Sequence, residues 1–330
     1  MKNKLPYLLF TLLIPVAAAV IFYWRFLSTT NDIDPNMHYV TTPGKEQNDI
    51  LFIGNSHTFY QIDPRITERV TGHTAYNLGL EGVSMIYYNM IYRTYVQRHP
   101  APKYLVINVD HRCFNTDVRV FNFPDYFPYL KDSTVAACLG PYYKEYQYGF
   151  LQFYYRIMRV NARPDPSKIS NLHYLFTPFG EVVPTVDTMR GFHPFAIKWE
   201  SKNHDPIKYY AVCSGLGIDL LRGILSDAAR RGIKVVLIST PQYKDYHQVI
   251  DNYSELLDTA NAMARAAHIP LWDYSDIRMT QDRNNYYNIE HLNSTGAAIF
   301  SQLLADDLCG YLADSMYVPD MKSRRGPAEH

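Results

Sequence analysis

Asp49-Ile-Leu-Phe-Ile-Gly-Asn-Ser-His-Thr58 is an apolar run that stops abruptly at Gly54-Asn55-Ser56. Ile50–Ile53 has the length and continuity of a strand covered on both faces, and it delivers a hydroxyl at its C-terminal end. Four later runs read the same way: Thr74–Leu78, Tyr104–Val109, Lys234–Ser239 and Ile269–Trp272. Helical patterns fall over Met85–Gln97, Leu216–Arg231, Tyr253–Ala267 and Ser294–Leu312, the last begun by Asn293, a good N-cap residue. This alternation predicts the α/β class: a three-layer, open parallel sheet of about five strands with helices on both faces.

In open α/β sheets ligands bind beyond the C-terminal ends of the strands, where Ser56 is placed. The second run ends in Asn77-Leu-Gly-Leu-Glu-Gly82, the third in Asn108-Val-Asp110-His111, and the fifth leads to Asn288-Ile-Glu-His-Leu-Asn293. Serine is a weak nucleophile and needs a base, which His291 can supply. Backbone N–H groups of Gly82 and Ser56 can meet a developing oxyanion. Each feature also has a plain structural reading. Ser56 and Thr58 can cap a helix, Gly79 and Gly82 can serve a turn, and His291 can bond to backbone at a helix start. The pattern Gly-x-Ser-x-Gly is absent because Thr58 replaces its second glycine, as are HExxH, P-loop and GxGxxG motifs. The twelve histidines show no metal-ligand spacing.

The ordered blocks resemble the SGNH/GDSL hydrolase superfamily. Gly54-Asn55-Ser56-His57 matches its first block, Gly82 its oxyanion glycine, and His291-Leu292-Asn293 its last. The resemblance covers about 48–110 and 215–313 and implies a flavodoxin-like sheet, with Ser56 as nucleophile, His291 as base and Gly82 on the oxyanion. It implies neither a metal nor an organic cofactor. Two positions depart from the pattern. Asn288 stands where the family carries the acid, so it can orient His291 without charge. An Asp-to-Asn change in a serine-protease triad costs about 10⁴ in turnover. The oxyanion asparagine of the third block is met by Asn108, with Asp110 at the strand end.

The chain has 330 residues, 47% of them hydrophobic, enough for a sizeable core. Its 32 basic and 32 acidic residues balance, which gives no reason to expect nucleic acid as a partner. Leu5 to Trp24 carries no charge and follows Lys2 and Lys4. Residues 1–27 are therefore expected as an uncleaved membrane anchor with the rest of the chain outside the cytoplasm, a cleaved signal peptide being the alternative. Residues 28–48 read as a polar linker, 49–313 as the domain, and 314–330 as a flexible tail, disordered from Pro319. The aromatic-rich stretch from about 113 to 212 is too long for a simple crossover. It reads as an insertion, either a lid over the sheet edge or a peripheral packing subdomain. The cysteines at 113, 138, 213 and 309 have no zinc-like spacing and leave disulfides or free thiols open.

An anchored domain of this kind resembles bacterial envelope proteins that move acyl groups on glycopolymers. The resemblance implies an ester hydrolase or O-acyltransferase acting on acylated carbohydrate, with a membrane-bound protein as a candidate acyl donor. The second reading is a catalytically degenerate relative that binds glycan or an envelope partner.

Overall fold

The computed structural model describes residues 34–116, 132–142, 188–195 and 210–325 except 316, with isolated positions between 13 and 20, at 126, 129 and 130, and at 199 and 208. Five strands, β1 (Ile50–Ile53), β2 (Ala75–Asn77), β3 (Tyr104–Asn108), β4 (Lys234–Ser239) and β5 (Leu271–Asp273), form one parallel sheet in the order β2-β1-β3-β4-β5. This is the doubly wound order in which the chain reverses direction of growth beside β1. β1 pairs with β2 through Ile50↔Ala75 and with β3 through Ile50↔Tyr104.

Side chains alternate across the strands, and the alternation sorts the core into two layers. Leu51, Ile53, Leu105, Ile107, Val235 and Leu237 face one layer, with Met85–Arg98, Gly215–Arg230 and Tyr253–Ala266 as its helices. Ile50, Phe52, Val106, Val236, Ile238 and Trp272 face the other, where Ser294–Ala313 packs. Every β1 residue is buried, as its uninterrupted apolar run requires. The expected strands and long helices are all present; β2 and β5 are shorter than predicted and β5 begins two residues later.

Two terminal assignments need correction. Residues 34–48 belong to the fold and are not a linker. Pro35–Thr41 is helical, capped by Asp34, with Met37 and Val40 wholly buried. Tyr39 stacks on Tyr76 at 4.0 Å, and Asn36 Nδ2 donates to the Gly79 carbonyl at 2.7 Å. The polar composition concealed a short amphipathic helix with Pro at its first position, where a missing N–H costs nothing. The tail is likewise anchored as far as Arg325. Met321–Arg324 is helical, Arg324 pairs with buried Asp307, and Arg325 bridges to Ile277.

Among the described residues no helix is long and apolar enough to cross a membrane. Most of Leu5–Trp24 lies outside them, as does most of the stretch 113–212. All four cysteines are free thiols, with Cys113 and Cys138 buried.

Candidate active site

Ser56 is the first residue of the helix Ser56–Gln61, directly beyond β1. Asn55 caps that helix by accepting the His57 N–H at 3.1 Å. Gly54 makes the sharp exit from the strand possible. A Cβ there would fall 1.8 Å from Thr58 Oγ1 and 3.0 Å from Asn108 Cβ. Half-buried Ser56 thus stands at the sheet's C-terminal edge, fixed by close backbone packing.

His291 reaches the same point from 235 residues away, and its Nε2 lies 2.9 Å from Ser56 Oγ. A closed loop holds it: Tyr286 bridges Leu292, and the Tyr287 N–H donates to the His291 carbonyl at 2.9 Å. Gln61 Nε2 donates to the Glu290 carbonyl at 3.0 Å, tying this loop to the helix that carries Ser56. Behind the loop, Asn293 caps Ser294–Ala313 by accepting from Thr295 and Gly296 N–H, each at 3.0 Å.

Asn288 Oδ1 accepts the backbone N–H of Glu290 at 2.9 Å and of His291 at 2.7 Å, and lies 3.2 Å from His291 Nδ1. Two backbone donors identify that atom as the oxygen, so Nδ1 must donate to it. Nε2 is then unprotonated and accepts from the Ser56 hydroxyl, the tautomer a general base requires. Burial pushes the imidazole well below its ordinary pKa, as do neighbouring His57 and Arg112, while Asp110 acts in the opposite sense. His291 is therefore neutral near pH 7.

Beyond β3, Asp110 is wholly buried and its Oδ2 lies 3.0 Å from Nδ1 of buried His57. Its Oδ1 accepts from the Arg112 and Cys113 N–H groups at 2.9 and 3.1 Å. Burial alone would raise the carboxyl; the His57 contact, His111 and the backbone donor outweigh it and hold Asp110 well below the usual carboxylate range. Burial pushes His111 down to about 3. Its ring bonds to Arg112 Nε and to Tyr246.

An aromatic wall borders the pair. Phe195, from the mid-chain stretch, stacks on Tyr287 at 4.1 Å, packs at a tilt on Tyr60 at 4.1 Å, and has its ring centre 5.7 Å from that of His291. The Ser294 N–H donates to the Phe195 carbonyl at 2.7 Å, and His193 stacks on Phe59 at 4.4 Å. This described piece of the stretch packs at the sheet edge. Ser133–Leu139, by contrast, packs on Met85–Arg98, away from the edge.

Gly82 adopts φ +68°, a conformation that glycine takes without strain, and Leu80 N–H donates to the Gly54 carbonyl at 3.1 Å, fastening that turn to the Ser56 loop. Asn108 is buried, donates to Asp110 Oδ2 at 3.3 Å and accepts the Thr240 N–H at 3.3 Å, which ties the end of β3 to the segment just beyond β4. The sequence reading also missed His57 as a participant, Tyr60 and Phe195. The only signal for His57 was its place in the Gly-Asn-Ser-His block.

His57, Glu290 and His291 each present a ligating atom within 4.8 Å of the others. A metal there would compete with contacts His291 already makes to Ser56 and Asn288, so the geometry fits a proton-transfer pair better than a metal centre.

These features define a Ser–His–Asn array at the C-terminal edge of a doubly wound parallel sheet. No protein-family model matches the chain, and no curated protein matches it. Among solved structures it is similar to a GDSL-like lipase from Bacteroides thetaiotaomicron, at 12% identity over 88% of this chain and 98% of that one, with a TM-score of 0.37. It is also similar to an active-site mutant of a family two carbohydrate esterase from Clostridium thermocellum, at 11% identity over 82% of this chain and 65% of that one, with a TM-score of 0.40.

Proposed function

We propose that the protein is an SGNH-type serine ester hydrolase or O-acyltransferase acting on acylated envelope glycans. The contact of Ser56 Oγ with His291 Nε2 at 2.9 Å, backed by Asn288, carries this reading. Ser56 attacks the acyl carbonyl as His291 takes its proton, and the oxyanion develops against the N–H groups of Ser56 and Gly82. Collapse of the tetrahedral intermediate transfers that proton to the leaving alcohol and leaves an acyl-Ser56. His291 then deprotonates water, or an acceptor hydroxyl, to release the acyl group.

The aromatic wall of Tyr60, Phe195 and Tyr287 supports a carbohydrate or acyl-bearing substrate, because flat rings stack on sugar faces and exclude water. The uncharged apolar stretch near the N-terminus supports attachment to a membrane with this domain on the extracytoplasmic side, where a membrane-bound acyl donor protein can reach Ser56.

A fluorophosphonate probe tests the nucleophile. The expected result is labelling of the wild-type chain that is lost in Ser56→Ala. Equal labelling of the variant, or none of the wild type, overturns the assignment. Asn288, uncharged where an acid is usual, favours a second reading: a binding protein that keeps the array without turnover. That reading predicts glycan binding with no labelling at Ser56.

A further inference from the structure

We propose that Asp110 supplies the negative charge near His291 that Asn288 lacks, with His57 as the ring that stands between that carboxylate and the base. This inference rests on the Ser–His reading above, and it assigns positioning roles to both residues.

Three observations converge. Asp110 is wholly buried, yet it is surrounded by donors: the Arg112 and Cys113 N–H groups on Oδ1, with Asn108 Nδ2 and His57 Nδ1 on Oδ2. A buried carboxylate in such a cage remains ionised, whereas one without partners would not. His57 is 1% exposed and lies edge-on to His291 with ring centres 5.2 Å apart. Its Nδ1 lies 3.0 Å from Asp110 Oδ2, and its Nε2 is buried with no hydrogen-bond partner among the described residues. The line Asp110–His57–His291 therefore brings a fixed negative charge towards an imidazole that must become positive as Ser56 gives up its proton. Low local dielectric makes such a charge effective over more than one ring.

Other groups also face His291. His57, and Arg112 and His111 from the segment after β3, disfavour the imidazolium, and Asp110 favours it. Tyr60 presents its ring at 5.6 Å, with ring planes nearly perpendicular. Glu290, on the same loop, places a carboxylate oxygen within 4.8 Å of ligating nitrogens of His57 and His291 and is the competing source of charge. No proton moves to Asp110 in this scheme. The proton passes from Ser56 Oγ to His291 Nε2 and back to the leaving alcohol.

The test is kcat/KM against pH for p-nitrophenyl acetate, using the full chain as wild type, Asp110→Asn, Glu290→Gln, Asn288→Asp and Asp110→Asn with Asn288→Asp. Loss of the Asp110 charge is expected to lower kcat/KM by about tenfold or more and to move the acid limb of the profile to lower pH. Adding Asn288→Asp to Asp110→Asn should restore most of the rate and return the limb upward. In the wild-type background the gain from Asn288→Asp should be smaller than in Asp110→Asn, because the charge is already present. The comparison of wild type with Asn288→Asp can be made even if Asp110→Asn fails to fold. A large gain from Asn288→Asp in wild type overturns the inference. So does a limb that shifts in Glu290→Gln but stays fixed in a folded Asp110→Asn. The Ser–His reading fails separately, by absence of fluorophosphonate labelling at Ser56; retained labelling with an unmoved limb sinks only the role of Asp110.

Discussion

Asn288 Oδ1 accepts the His291 backbone N–H at 2.7 Å and lies 3.2 Å from Nδ1 of the same residue. One side-chain oxygen therefore shapes the loop and fixes the tautomer. An uncharged residue suffices for both tasks, since each needs an acceptor and neither needs a charge. Replacing Asn288 by Ala removes the acceptor for three N–H groups at once. The expected result is a loss of at least about tenfold in kcat with little change in KM, because the interaction lost orients the base in the transition state. Steady-state kinetics on a short acyl ester would check this. Unchanged kcat would show that the loop holds His291 without Asn288.

Gly54 carries a steric prediction. A methyl group at this position would lie 1.8 Å from Thr58 Oγ1. Gly54→Ala should destabilise the domain by about 1–3 kcal/mol through forced displacement of a buried side chain. The double variant Gly54→Ala with Thr58→Gly should recover part of that loss, since the clash is mainly with the Thr58 side chain. Thermal or urea melts of the two variants measure the coupling.

The strands and the Ser56–His291 pair could be read from the chain because each is written locally. β1 is four apolar residues in a row, and Ser56 and His291 sit in short blocks whose order mirrors the order of strands. The pairing of His57 with Asp110 has no such local mark, since it joins the ends of two neighbouring strands through side chains 53 residues apart. The same holds for Phe195, whose place over His291 depends on a long excursion of the chain. Residues 34–48 were misread for a different reason. Asp34, Pro35 and Asn36 look like turn punctuation, yet Asp34 and Pro35 start a helix and Asn36 is buried against Gly79. The partners of Asn108, Asp110 and the Thr240 N–H, likewise have no local mark in the sequence.

Buried His111 and partly buried His291 make stability depend on pH in a definite direction. The folded-state pKa of His111 is depressed from 6.5 to about 3, and that of His291 is depressed too, both first by burial. Between these values and the unfolded one, the unfolded chain binds more protons than the folded chain. Stability from both groups is present above about pH 6.5 and is lost as pH falls through that window, with a slope of up to about 1.4 kcal/mol per pH unit for each group. Asp110, also depressed despite its burial, adds a further loss below about pH 4. Urea unfolding at pH 7, 5.5 and 4.5 should show a steady fall. A flat profile over this range would mean that the two rings are not buried neutral in the native state.

The same depressed His291 pKa bears on catalysis. A base whose pKa is held below the ordinary histidine value keeps its acceptor nitrogen at acidities where an exposed histidine is largely protonated. The acid limb of kcat/KM for wild type should therefore lie below about pH 6.5, the ordinary histidine value. A limb centred at or above that value would show that His291 is solvated in the working enzyme, or that another group is the base.

Arg324 anchors the C-terminal segment by pairing with Asp307, whose side chain is only 1% exposed. Asp307 also accepts from Tyr274 OH at 2.7 Å and Tyr317 OH at 3.2 Å, so the carboxylate is the hub that joins the helix Ser294–Ala313 to Met321–Arg324. Removing the guanidinium with Arg324→Ala leaves a buried negative charge with two hydroxyl partners and no cation. Breaking a buried pair in this way costs about 3–5 kcal/mol when both partners are fully enclosed. Arg324 is partly exposed, so the expected loss here is smaller, about 1–3 kcal/mol. Asp307→Asn in the same background should restore some stability, because an amide keeps the two tyrosine bonds without the uncompensated charge. Urea melts of the single and double variants decide the matter: a fully exposed, unanchored C-terminus would give no loss in Arg324→Ala and no recovery in the double variant.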